Sequence, residues 1–283
     1  MTIKKAMVIG SGQMGSGIAQ VLAQSDIEVI LNDIRQEFVE KGFAKIKKQV
    51  ERLVEKEKIT ASDKDTILGN ISLSTDYQDA KDVDIVIEAA TENKKIKLEI
   101  FRQLDEITKP EAILASNTSS LSITSIAAVT QRPEQVVGMH FFNPVPVMKL
   151  VEIVSGLRTS DETRKVIADL AETMKKVSID VKDSPAFVVN RILMSMIGEA
   201  MFTVYEGIAT VEEVDEAMRL GANMPMGPLQ LADFVGLDVC LAVFEVIYQG
   251  FGDSKYRICP LLRQYVEAGW LGKKTGRGFY NYE

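Results

Sequence analysis

Histidine is almost missing from this chain: one stands among 283 residues. Any step that needs an imidazole must use His140, and no metal centre is expected. Cysteine is nearly as scarce. Cys240 and Cys259 are too few for a disulfide framework and have no ligand-like spacing, so both read as idle thiols. No run of about 18 consecutive apolar residues occurs, so no membrane-spanning helix is expected. MTIKK leads straight into a strand and a glycine loop, without an apolar signal segment, and the expected location is cytoplasmic. An excess of basic charge is lacking too, with 33 Lys+Arg against 40 Asp+Glu and a net charge of −7. That balance disfavours nucleic acid as a bulk partner and leaves room for local basic patches. What is present is ordinary globular material, 46% hydrophobic and 26% charged, enough for a sizeable core. A chain of 283 residues exceeds what one core usually organises, so two domains are expected.

Short, nearly continuous apolar runs recur in the first part: KAMVIG (5–10), EVILND (28–33), VDIVIEAA (83–90), AILAS (112–116) and VVGMHF (136–141). Such runs fit strands covered on both faces. Helical spacing fills the intervals, in QMGSGIAQVLAQS, in a long segment from Gln36 to Lys58 and in NKKIKLEIFRQLDEI. The alternation predicts an α/β Rossmann-like, doubly wound parallel sheet. After KVSIDVKDSPAFVVN the strand signals stop, and the remainder has helical periodicity broken by glycine and proline. An all-α C-terminal domain is therefore expected. The boundary falls near 184 to 188, giving a domain of residues 1–185, with a basic helical extension at about 36–58, and one of residues 186–283. No internal repeat or low-complexity segment is visible.

VIGSGQMGSG follows the first strand and opens a helix, the setting in which glycines spaced as Gly10, Gly12 and Gly15 bind a dinucleotide. Gly10 permits the tight turn, Gly12 omits the Cβ that would collide with a pyrophosphate, and Gly15 lets the helix pack closely with its N-terminus facing the phosphates. A tight turn with no ligand is the plainer alternative. The second strand ends at Asp33, about 20 residues on, where a carboxylate accepts hydrogen bonds from ribose hydroxyls and repels a 2′-phosphate. NAD is favoured over NADP, although Arg35 could meet such a phosphate. Hydride transfer then needs a second group to manage the substrate proton.

His140 ends the fifth strand, and ligands of open α/β sheets gather outside the carboxyl ends of the strands. The prolines of FNPVPVM stop that strand, and KLVEIV resumes extended character. In a hairpin turning about Pro146, symmetrically placed residues become cross-strand partners, which sets His140 beside Glu152 on one face. A one-residue slip of the loop would separate them. A carboxylate in that place fixes the imidazole tautomer and favours the protonated ring. With an ordinary pKa of about 6.5, histidine works as acid or base near neutrality.

These stretches together resemble the 3-hydroxyacyl-CoA dehydrogenase family, most closely its short bacterial 3-hydroxybutyryl-CoA members. The resemblance spans essentially the whole chain. Its carriers are VIGSGQMGSGIAQ, VIEAATEN, LASNTSSLSIT, GMHFFNPVPVMKLVEIV, SPAFVVNRIL, GANMPMGPLQLADFVGLD and GWLGKKTGRGFYNY. It implies reversible NAD-dependent oxidation of a (3S)-3-hydroxyacyl-CoA, such as 3-hydroxybutyryl-CoA, to the 3-ketoacyl-CoA, acetoacetyl-CoA in that case. His140 and Glu152 are implied as the acid/base pair, with Ser119 and Asn190 at the substrate. Cofactor contacts are implied at Gln13, Met14, Glu92, Lys97, Asn117, Ser119, Asn143 and Lys274, besides Gly10, Gly12, Gly15 and Asp33. A homodimer is implied as well.

A CoA thioester must also be held by its phosphates. On a helix from Gln36 to Lys58, the side chains Lys41, Lys45, Lys48, Arg52 and Lys56 share one face, with Val39, Phe43, Ile46, Val50 and Leu53 roughly opposite. A solvated basic side of an amphipathic helix explains the pattern. A docking face for CoA explains it too, with Arg52 and Lys56 nearest the substrate as the resemblance implies. Where many family members read GANHPMGP, this chain has Met224, so that histidine is not available to share the acid/base role. Plain alternatives exist for the other positions: Ser119 and Ser120 satisfying a turn, Asn190 near a helix start, Glu152 as a solvated strand carboxylate, Lys274 as a loop charge. Two other functions stay open. One is a dehydrogenase of free β-hydroxy acids, which typically places a lysine at the proton-transfer position; the other is a catalytically silent NAD-binding relative. Acyl-chain length and physiological direction are not encoded legibly, and the short chain argues against a fused hydratase domain.

Overall fold

The computed structural model describes residues 1–282. The chain splits into two compact units, Met1–Ser184 and Pro185–Glu283. Along the first unit run β1 (Lys5–Ile9), α1 (Gln13–Ala23), β2 (Glu28–Asn32), α2 (Gln36–Glu55), α3 (Ala61–Gly69), β3 (Ile71–Ser74) and β4 (Ile85–Glu88). They are followed by α4 (Lys94–Ile107), β5 (Ile113–Ser116), α5 (Ile123–Ala127), β6 (Val136–Phe141), β7 (Leu150–Ser155), α6 (Asp161–Thr173) and β8 (Val177–Lys182). The eight strands form one sheet in the order β3-β2-β1-β4-β5-β6-β7-β8. Every adjacent pair is parallel except β6 and β7, which are antiparallel. The winding reverses between β1 and β4, the switch point at which such sheets bind ligands. β4, β5 and β6 are buried along their whole length, which is why they read as unbroken apolar runs.

Two features of this unit depart from the sequence expectation. The long basic helix stops at Glu55, caps at Lys56 and turns through Glu57 at φ 54° instead of continuing to Lys58. A new helix, α3, then starts from a capping box in which Thr60 and Asp63 satisfy each other's backbone N–H groups. No glycine marks this reversal. The edge strand β3 is the second departure: ISLS is four residues long, half polar, and buried only at its two ends, so it carries no continuous apolar signal.

The second unit contains α7 (Val189–Tyr205), α8 (Val211–Gly221), α9 (Pro228–Val235), α10 (Leu237–Phe251) and α11 (Pro260–Glu267) around a core that includes Ile197, Met201, Leu229, Phe244 and Leu262. Its extended pairing is confined, among the described residues, to isolated bridges of Arg277 with Gly272 and Asn281. Two buried aspartates tie the terminal GRGFYNY stretch down. Asp215 accepts from the backbone of Leu229 and Gln230 at the start of α9 and from the Tyr280 hydroxyl. Asp233 accepts from the backbone of Phe279 and Tyr280 and from the Tyr282 hydroxyl. Cys240 lies fully buried, and burial pushes its thiol up to about 12, so no thiolate forms near neutrality. No helix among the described residues is long and apolar enough to cross a membrane.

Candidate active site

The glycine loop joins β1 to α1. A Cβ on Gly15 would lie 1.7 Å from the Gly10 carbonyl oxygen, so the first turn of α1 rests directly on the loop and only glycine fits. Gly12 differs, because a Cβ there would meet no protein atom within 4 Å. Packing within the chain makes no demand for glycine at that place, whereas close approach of a pyrophosphate does. Met14 packs its side chain against the core. At the end of β2, Asp33 Oδ2 accepts from the Ser11 N–H and the Ser11 hydroxyl, both at 2.7 Å, and Oδ1 accepts from Ile34 N–H at 2.8 Å. Asp33 lines a cleft of about 790 Å³ together with Gly12, Phe38, Lys41, Lys45 and Tyr77. Burial, followed by the charges of Glu88 and Asp33, pushes the Tyr77 hydroxyl above 10.0 and keeps it a donor. Arg35 instead stacks over Phe38 at 5.5 Å and pairs with Glu37 at 3.4 Å.

The basic stripe of α2 therefore divides. Lys41 and Lys45 line this cleft, while Lys48, Arg52 and Lys56 are exposed further along the helix. Gly42 packs on Ser11, which brings the N-terminal half of α2 against the glycine loop.

Beside this cleft, the carboxyl ends of β4 and β5 carry a polar network. Glu88 is fully buried and Lys97 is 1% exposed; they form an ion pair. Lys97 also donates to Ser116 Oγ at 3.3 Å and lies 3.9 Å from Glu92. Glu92 in turn accepts from the Thr118 hydroxyl at 2.8 Å, the Ser119 N–H at 2.8 Å and the Ser119 hydroxyl at 3.1 Å. Asn117 Oδ1 accepts from Phe141 N–H at 2.9 Å, and Asn143 Oδ1 accepts from Gln13 Nε2 at 2.8 Å. These two asparagines thus tie β5 to β6 and the β6–β7 loop to the start of α1. Lys176 holds the same loop, donating to the carbonyls of Val145 and Met148 at 2.7 and 2.9 Å.

The antiparallel register sets His140 directly opposite Glu152, the pairing that a turn about Pro146 predicts. Nδ1 of His140 and Oε2 of Glu152 are 2.7 Å apart. His140 is 5% exposed and Glu152 fully buried. A buried carboxylate needs a partner of this kind, and the pairing fixes a proton on Nδ1 so that Nε2 carries the lone pair. The Phe142 ring stands 4.6 Å from the imidazole.

A sequence model of the 3-hydroxyacyl-CoA dehydrogenase NAD-binding domain matches residues 5–184, and that of the family's C-terminal domain matches residues 187–282. The chain belongs to the 3-hydroxyacyl-CoA dehydrogenase family. A Bacillus subtilis protein named a probable 3-hydroxybutyryl-CoA dehydrogenase is 56% identical, covering 100% of this chain and 99% of the relative. The 3-hydroxybutyryl-CoA dehydrogenase of Bradyrhizobium diazoefficiens is 50% identical over 99% of this chain and 96% of its own. Among solved structures, the (S)-3-hydroxybutyryl-CoA dehydrogenase of Ralstonia eutropha superposes with a TM-score of 0.98 at 52% identity, each chain covered in full. This dehydrogenase is an NAD-dependent oxidoreductase, and the open space at Gly12 and the fixed Asp33 carboxylate fit a dinucleotide.

In the second unit of the dehydrogenase, Asn190 is the second residue of α7. Its neighbour Arg191 donates to the Tyr256 hydroxyl at 2.9 Å and stacks over Phe251 at 4.3 Å. Lys274 sits in a short helical turn with its ammonium on both carboxylate oxygens of Asp238, at 2.5 and 2.7 Å. Met224 is half-buried. Sequence reasoning missed Glu88, Ser116, Ser11 and Tyr77. For the first two a signal existed: each is the polar last residue of a strand whose other residues are apolar and buried, and such groups must find hydrogen-bond partners.

Proposed function

We propose that this dehydrogenase reversibly oxidises short-chain (3S)-3-hydroxyacyl-CoA thioesters, with (3S)-3-hydroxybutyryl-CoA giving acetoacetyl-CoA, and that His140 and Glu152 are its acid/base pair. The observation that carries the reading is the buried His140–Glu152 hydrogen bond of 2.7 Å at the carboxyl end of β6. The names of the relatives at 50–56% identity support the substrate. Held at Gly12 and Asp33, NAD would supply the hydride acceptor for C3, and NADH the donor for the reverse direction. His140 Nε2 takes the hydroxyl proton as C3 is oxidised, and Glu152 stabilises the resulting imidazolium. In the reducing direction the same imidazolium protonates the developing alkoxide. We place Ser119, held by Glu92, on the C3 oxygen, and assign Asn190 to the substrate on the family pattern. Lys97, Asn117, Asn143 and Lys274 are assigned to the cofactor on the same pattern. Asp33 selects NAD over NADP by its charge.

Arg52 and Lys56, exposed on α2 and its cap, hold the phosphates of CoA. The protein works in the cytoplasm as a homodimer through its helical unit, where Ile192, Ile208 and Leu220 are 66, 71 and 75% exposed. Sedimentation of a lone 31.3 kDa species at micromolar concentration would contradict the dimer. The function itself is tested by following NADH oxidation with acetoacetyl-CoA. Turnover is expected. Activity on free β-hydroxy acids but not on thioesters would favour a hydroxy-acid dehydrogenase, and no oxidation at all a silent relative.

A further inference from the structure

Glu88 has no part in the proton transfer described above, yet it is an acidic side chain held with no solvent exposure. Burying a carboxylate and an ammonium as a pair rarely gains stability over well-packed apolar side chains of similar volume. A buried pair directly behind a site therefore calls for a reason other than stability, and the hydrogen bonds of Glu88 supply one.

Three paths lead from Glu88 to Ser119. Its Oε1 accepts from the Ala90 N–H at 2.9 Å, fixing the turn that leads into Glu92. Its Oε2 holds the Lys97 ammonium, the same ammonium that lies 3.9 Å from Glu92. Oε2 also accepts from Ser116 Oγ at 3.0 Å, and Ser116 Oγ accepts from the Thr118 N–H at 3.2 Å, one residue before Ser119. Glu92 then closes the circuit on the N–H and hydroxyl of Ser119.

We propose that Glu88 is a positioning residue for the reaction: it keeps the Lys97 charge off Glu92, so that Glu92 stays on Ser119 and fixes the place and direction of its hydroxyl. Without the Glu88 charge, the nearest anion left to Lys97 is Glu92. The ammonium then draws Glu92 away, and Ser119 loses the carboxylate that orients it. The inference rests on the role of Ser119 stated under the proposed function.

The test is a double-mutant cycle on the full-length enzyme with Glu88→Gln, Ser119→Ala and the combined variant, measuring kcat and both KM values with acetoacetyl-CoA and NADH. Glu88→Gln is expected to lower kcat about tenfold or more, the scale of a small misplacement of a reacting group, and to raise the KM for NADH as well, since Lys97 is assigned to the cofactor. In the Ser119→Ala background the same substitution is expected to change kcat by less than about twofold, because residues acting through one another are not additive. Losses that multiply in the combined variant, or a Glu88→Gln enzyme with wild-type kcat, overturn the inference. Ser119→Ala with unchanged kcat instead removes the role of Ser119 itself. Should Glu88→Gln fail to fold, Ser116→Ala loosens the same junction without leaving a buried charge unpaired. It enters the same cycle, with a smaller kcat loss and the same non-additivity expected, and multiplied losses again overturn the inference.

Discussion

Glu152 and Glu88 are both fully buried carboxylates on one sheet, and only for the first can the partner be read from the sequence. Symmetry of the β6–β7 hairpin about Pro146 leads from His140 to Glu152, and the register has that symmetry. Glu88 ends an apolar run, where an acidic residue reads as the exit of a strand, and its partner Lys97 is nine residues away on a helix. Contacts of that kind depend on how helix and sheet pack, which local patterns do not encode. At this scale Glu152→Gln keeps the shape of the side chain and removes the anion opposite His140. Its kcat is expected to fall about 10²-fold or more, with thermal melting shifted far less than activity. His140→Ala leaves the Glu152 carboxylate without this partner and is expected to cost about 1–3 kcal/mol in denaturant unfolding.

Among the elements, the central parallel strands β1, β4 and β5 are the most legible, since coverage on both faces leaves nearly unbroken apolar runs. The α2–α3 reversal was illegible for a physical reason. Its pivot, Glu57, adopts φ 54°, a left-handed conformation usually marked by glycine or asparagine. Glu57→Gly is accordingly expected to be neutral or to raise stability by up to about 1 kcal/mol, read as a higher melting temperature. The same helix makes two separable kinetic predictions. Lys41→Glu places a negative charge in the cleft beside Asp33 and is expected to raise the KM for NADH more than that for the acyl-CoA. Charge reversal at both Arg52 and Lys56 is expected to raise the acyl-CoA KM and leave the NADH KM nearly unchanged. If both variants moved the same constant, the division of the stripe would have no functional meaning.

For the molecule as a whole, the change from alternating strands and helices to helices alone marks the two units in the sequence. The pairings that close each unit are less visible. Asp84 accepts from the backbone of Lys4 and Lys5 and from the Lys109 ammonium, joining the entry of β1 to the segment between α4 and β5. Burial works to raise this carboxyl, but the Lys109 hydrogen bond, the two backbone N–H groups and the Lys109 charge outweigh it and hold Asp84 below 3.8. A carboxylate depressed in the folded state contributes stability that is present above its unfolded pKa and lost as pH falls through the folded one. Asp84→Ala is therefore expected to melt below the wild type at neutral pH, with the gap narrowing as pH drops below 3.8. A gap that stayed constant into the acid range would mean that the ionised carboxylate is not what matters.

The central claim is that one imidazole carries the proton. It is tested most directly by the rate of NADH oxidation with saturating acetoacetyl-CoA for the wild type and for His140→Gln. The account predicts a turning-over wild type and a variant whose kcat is lower by about 10²-fold or more with both KM values little changed. A His140→Gln enzyme with wild-type kcat would contradict it.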